Sequence, residues 1–136
     1  MEEEAKGYPV YIRTNVSFQE LHLLYANSKI FWHATGLNED ENIHPERLEH
    51  FGMTTVEAMA SGCVPLVINK GGQPEIVSHG GSGYLWDTVE ELAAYTKELI
   101  CDEGRLARLS GAAVCRSRDF SRDVFFDKLR SMLANS

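Results

Sequence analysis

Two carboxylates frame the segment EHFGMTTVEAMASG at 49–62: Glu49 stands just before Phe51-Gly52, and Glu57 follows inside an apolar, helix-patterned run. An ionised carboxylate accepts hydrogen bonds and donates none, so each can take two hydroxyl hydrogens from a vicinal diol such as a ribose or a hexose. If the helix starts at Thr54, its first turn leaves backbone N–H groups unpaired and partly positive, a place for a phosphate or diphosphate. Gly52, without a Cβ, lets a ligand approach the backbone. Two diol acceptors around a diphosphate site match a nucleotide sugar, ribose at one end and hexose at the other. The same spacing has a plainer reading. Thr54-x-x-Glu57 is a capping box, and Glu49 can be a solvated loop charge; spacing alone leaves both open.

The surrounding pattern says what must position these groups. Residues 8–13 (YPVYIR) read as a short strand, and Ser17 with Glu20 opens a helix carrying Phe18, Leu21, Leu24 and Tyr25 on one face. A second strand is expected at 29–33, then a long polar loop through 48, then the helix from Thr54 to its glycine stop at Gly62. VPLVIN reads as a strand buried on both faces, KGGQPEIV as a glycine turn into a short helix, GYLW as a further strand, and Thr88-x-x-Glu91 as a capping box. Helices at about 103–116 and 121–134 follow. Strands alternating with helices predict a Rossmann-like, doubly wound parallel sheet, in which ligands bind beyond the carboxyl ends of the strands. Residues 13–17, 34–54, 69–75 and 87–88 leave those ends.

Bulk properties set outer limits. A chain of 136 residues with 43% apolar content makes one domain at most, and its formal charge of −7 argues against non-specific nucleic-acid binding. No apolar run approaches the ~20 residues of a membrane helix. Cys63, Cys101 and Cys115 fit no disulfide framework or CxxC site, and with an acidic N-terminus unlike a signal they read as reduced thiols of a cytoplasmic protein.

The pieces Glu49-x7-Glu57, Phe51-Gly52, EAMASGCVP, GGQPEIV and GGSGYLW, in this order, resemble the C-terminal, donor-binding half of the group 1 (family 4) glycosyltransferases, retaining enzymes of GT-B fold. The resemblance runs from about Tyr8 to the C-terminus. It implies that Glu57 binds the ribose hydroxyls and that Glu49, the catalytic-site glutamate, contacts the donor hexose. The amides around Phe51, Gly52, Met53 and Thr54 would face sugar and diphosphate, and the turn Arg13, Thr14, Asn15 would lie by the base, UDP or GDP being the nucleotides in view. It implies no cofactor and no metal, and an acceptor that is a saccharide, lipid or small molecule; the acidic charge speaks for no nucleic-acid partner.

Relatives of this kind carry an upstream acceptor-binding domain, and an Arg and a Lys that neutralise the diphosphate, before the point matched by Tyr8. The expectation is therefore that residues 1–136 form part of a donor-binding domain, truncated at the N-terminus and inactive without the rest. A GT-B epimerase acting on nucleotide sugars and a non-catalytic interaction module remain the alternatives. His33 reads as a core or rim residue, His44, His50 and Glu46 as solvated loop groups, and the apolar face of 121–134 as core, with part of it exposed if, as the resemblance implies, this helix crosses to the other domain.

Overall fold

The computed structural model describes residues 3–134. Its centre is a parallel three-stranded sheet in the order β1-β2-β3, formed by β1 (Ile30–His33), β2 (Val64–Ile68) and β3 (Tyr84–Trp86). The register sets His33 beside Val67 and Ile68 beside Trp86, so the three strands end near one another. Helix α1 (Phe18–Ala26) precedes the sheet, α2 (Met53–Ala60) and the short α3 (Gln73–Ile76) make the crossovers, and α4 (Val89–Cys101), α5 (Glu103–Ser117) and α6 (Arg122–Ala134) follow β3.

All five residues of β2 are buried because it is the central strand, with a layer on each face. Val64, Leu66 and Ile68 pack with Trp86, Leu92, Leu99 and Leu109 on one side. Val67 packs with Met59, Ile76, Val77 and Ala113 on the other. The alternation follows from the two-residue period of a strand. A smaller cluster of Tyr25, Ala58 and Cys63 joins α1 to α2. Ser17 with Glu20 and Thr88 with Glu91 both form complete capping boxes, which fix the starts of α1 and α4.

Three expectations are corrected. Residues 8–13 are not a strand: they form no ladder with β1, and Tyr8 and Tyr11 are 72% and 85% exposed. A β-rich run becomes a strand only where an edge accepts it, and Pro9 has no N–H to offer. In α1, Tyr25 is buried and Leu21 half-buried, whereas Phe18 and Leu24 are exposed. None of the residues of helix α6 is fully buried, and the side chains of Phe125, Leu129, Met132 and Leu133 are exposed to solvent. Helical spacing shows that a face exists; it does not say what covers it.

Candidate functional site

The loop that enters α2 is held by the turn that leaves β2. The Lys70 ammonium donates to the carbonyls of Gly36 (3.3 Å) and Glu39 (2.6 Å), the Gly71 amide donates to the Glu41 carboxylate (3.2 Å), and the Gly72 amide to the Glu49 carbonyl (2.8 Å). Backbone lies directly on backbone here. A Cβ at Gly71 would stand 2.4 Å from the Glu49 carbonyl oxygen, and one at Gly72 2.1 Å from that of His50. The paired glycines thus clamp the Glu49 loop rather than bind phosphate.

Glu49 is not a free loop charge. Its Oε1 accepts the amides of Gly52 (2.9 Å) and Phe51 (3.2 Å). The Gly52 amide foremost, then the Phe51 amide and the neighbouring His33 and His50, hold the carboxyl below its ordinary value against the opposing cost of burial. Oε2 has no such amide partner among the described residues and lies 3.9 Å from His33 Nε2.

Helix α2 begins one residue earlier than its sequence indicates. Gly52, in the left-handed conformation (φ 74°), is the N-cap, no side chain caps the helix, and the box Thr54-x-x-Glu57 does not form. The first amide bonded back to Gly52 is that of Val56 (3.1 Å), so those of Met53, Thr54 and Thr55 are left without acceptors among the described residues. Those of Met53 and Thr54 belong to exposed residues, flanked by the exposed Phe51 ring. Glu57, the fifth helical residue, is half-buried, and its carboxylate makes no hydrogen bond or ion pair among the described residues. Its charge reaches the Tyr25 phenol, which burial first and Glu57 second push above its usual value.

Behind these groups runs a side-chain chain that sequence reasoning missed. The Thr55 hydroxyl donates to Gln73 Oε1 (3.0 Å), and Gln73 Nε2 lies 3.3 Å from His33 Nδ1. Thr55 and Gln73 are wholly buried, and the His33 side chain is only 10% exposed. Burial lowers the His33 value, offset in part by Glu49, which favours the neutral imidazole. The signal for Gln73 was a polar residue directly after the clamp glycines, in the buried first turn of α3.

Of the residues singled out, Glu49, Phe51, Gly52, Met53, Thr54 and Glu57 are brought together around the start of α2. Arg13, Thr14 and Asn15 lie in exposed coil before α1, and none of their side chains makes a described contact with Glu49 or Glu57. His44 pairs with Glu46 (3.1 Å) at the surface, away from a metal-like set; no group of three His, Cys, Asp or Glu suited to a metal occurs among the described residues.

The bare N-terminus of α2 and the two carboxylates that flank it thus lie at the carboxyl edge of the parallel sheet, the edge at which open α/β sheets bind ligands. Residues 10–114 match the family model for glycosyl transferases group 1, and the chain belongs to that family. It is 34% identical over 84 residues to the GDP-Man:Man(3)GlcNAc(2)-PP-Dol alpha-1,2-mannosyltransferase of Dictyostelium discoideum, covering 61% of this chain and 17% of that protein. The chain thus spans about a sixth of that relative's length. Among solved structures, Anabaena HepE in complex with UDP aligns with a TM-score of 0.68 at 24% identity, over 83% of this chain and 29% of its own. The C-terminal domain of the group 1 family protein LpcC from Francisella tularensis aligns at 0.68 and 23%, over 85% of this chain and 57% of its own. The sheet and its flanking helices are those of the GT-B glycosyltransferases. No helix among the described residues is long and apolar enough to cross a membrane.

Proposed function

We propose that this chain is the nucleotide-sugar-binding part of a retaining glycosyltransferase, which transfers a hexosyl group from a UDP- or GDP-sugar to a saccharide, lipid or small-molecule acceptor. The observation that carries this is the division of labour at the start of α2. The amides of Met53 and Thr54 and the carboxylate of Glu57 have no hydrogen-bond partner among the described residues, and Glu49 is pinned through Oε1 alone; this supports assigning the amides to the diphosphate, Glu57 to the ribose hydroxyls and Oε2 of Glu49 to the hexose. The base is assigned to the turn Arg13–Asn15, ahead of α1. Two comparisons support the class of ligand: the Dictyostelium relative is named for a GDP-mannose donor, and HepE was solved with UDP.

Binding and turnover are separate on this account. Cleavage of the donor leaves a diphosphate whose charge must be stabilised, usually one of the largest catalytic effects. Lys70, the cation that follows β2, is committed to the Gly36 and Glu39 carbonyls. Residues 1–136 therefore bind donor without turning it over, and transfer requires cations and an acceptor-binding domain outside them. Calorimetric titration with UDP-glucose and GDP-mannose tests this. Saturable binding of one, with no sugar released on long incubation, is expected; absence of binding to either, and to ADP-glucose, would reject a donor site and favour a non-catalytic module.

A further inference from the structure

A buried amide side chain is costly unless both its ends are satisfied. Gln73 meets that demand across the fold: its oxygen accepts from Thr55 on α2, and its nitrogen faces His33 on β1. The His33 tautomer follows from the orientation of the amide. Gln73 is placed with Oε1 toward α2, accepting from Thr55, and with Nε2 toward β1; an amide nitrogen only donates, which makes His33 Nδ1 the acceptor and places the imidazole proton on Nε2. That N–H faces Oε2 of Glu49 at 3.9 Å, an electrostatic contact that a small rotation of the carboxylate, or one bridging water, turns into a hydrogen bond. The other tautomer would turn a lone pair toward the carboxylate. The amide also packs under Gly52, where a Cβ would come within 3.0 Å of its nitrogen and 3.2 Å of its oxygen.

We propose that Gln73 and His33 form a positioning relay: Gln73 keeps His33 in the Nε2–H tautomer, and that N–H orients Oε2 of Glu49 toward the hydroxyls of the donor hexose. The relay rests on the donor-site reading for its ligand, but its first step concerns the protein alone. On that reading neither residue touches the nucleotide. The relay thus acts on the sugar and leaves the diphosphate and ribose contacts unchanged.

The test separates these levels. With 15N-labelled histidine in the full 136-residue chain, and His33 assigned against His33→Asn, the wild type is expected to show Nδ1 unprotonated and accepting a hydrogen bond near pH 7. Gln73→Glu offers only acceptors and is expected to put a proton on Nδ1; Gln73→Met is expected to lose the acceptor signature. By calorimetry, Gln73→Met should weaken whichever of UDP-glucose or GDP-mannose binds by about tenfold, while UDP or GDP alone changes by less than about twofold. If the glutamine variants do not fold, Thr55→Val, which frees the amide to turn over, should shift both readouts in the same direction. An unchanged Nδ1 in the folded variants, or equal losses for nucleotide and nucleotide sugar, would overturn the relay. A wild type that binds no nucleotide sugar removes the donor-site reading and the sugar-orienting role with it, while the nitrogen signals still decide the Gln73 and His33 coupling.

Discussion

The Gly72 amide donates to the Glu49 carbonyl at 2.8 Å, which ties the turn after β2 to the loop that delivers the first site carboxylate. That contact exists because Gly71 and Gly72 have no side chains: a Cβ on either would meet loop backbone at 2.4 Å or 2.1 Å. Gly71→Ala and Gly72→Ala are expected to lower unfolding stability by about 1–3 kcal/mol through overpacking. Gly111, exposed within α5 with nothing within 4 Å of its Cβ position, is the contrast. Gly111→Ala should stabilise by about 0.4–1 kcal/mol, because it restricts the unfolded chain. Urea midpoints of the three variants check both signs.

Glu57 makes no hydrogen bond or ion pair among the described residues, so its role is open to a clean substitution. Glu57→Ala is expected to change stability by less than about 0.5 kcal/mol and to weaken nucleoside diphosphate binding at least about tenfold, the worth of a charge-assisted hydrogen bond. A thermal melt beside a calorimetric titration reads both. A large loss of stability with binding intact would assign Glu57 to the fold instead.

Acid is expected to weaken this region in two stages. Burial, partly countered by Glu49, depresses the His33 value below its ordinary 6.5, so the unfolded chain takes up that proton first. The His33 contribution is full above about 6.5 and drains as pH falls toward the folded value. Glu49, held down mainly by the Gly52 amide, contributes fully above its ordinary 4.5 and loses that contribution as pH falls through the folded value. His33→Asn should flatten the decline of the urea midpoint just below pH 6.5, and Glu49→Gln the decline below about pH 4.5. Profiles parallel to wild type would contradict both assignments.

Much of the scaffold is legible in the chain because its signals are local. The Ser17/Glu20 and Thr88/Glu91 boxes announce their helices, and the apolar run of β2 announces a strand covered on both sides. Glu49, Gly52 and Glu57 are legible as a group because they share one loop and one helix. What sequence does not display is closure through space. Gln73 reaches His33 across forty positions, and the Glu49 carboxylate turns back onto the two amides that follow it. The same limit explains residues 8–13 and helix α6, whose patterns are visible while their partners are not.

Helix α6 has no fully buried residue, whereas Phe120 just before it packs on the core cluster of Met59, Val67 and Ile76. Removal of residues 122–136 is expected to leave the thermal midpoint within a few degrees of the full chain, since little apolar surface leaves the core. A collapse of the cooperative transition would show that α6 supports the fold.

The most direct test of the central claim is amide NMR of the 15N-labelled chain titrated with UDP, GDP and ADP. One of the three should shift the amides of Gly52, Met53 and Thr54 saturably, and Glu57→Ala should abolish those shifts while leaving the spectrum folded. Saturable shifts confined to other residues, or none with any nucleotide, would contradict a donor site at the start of α2.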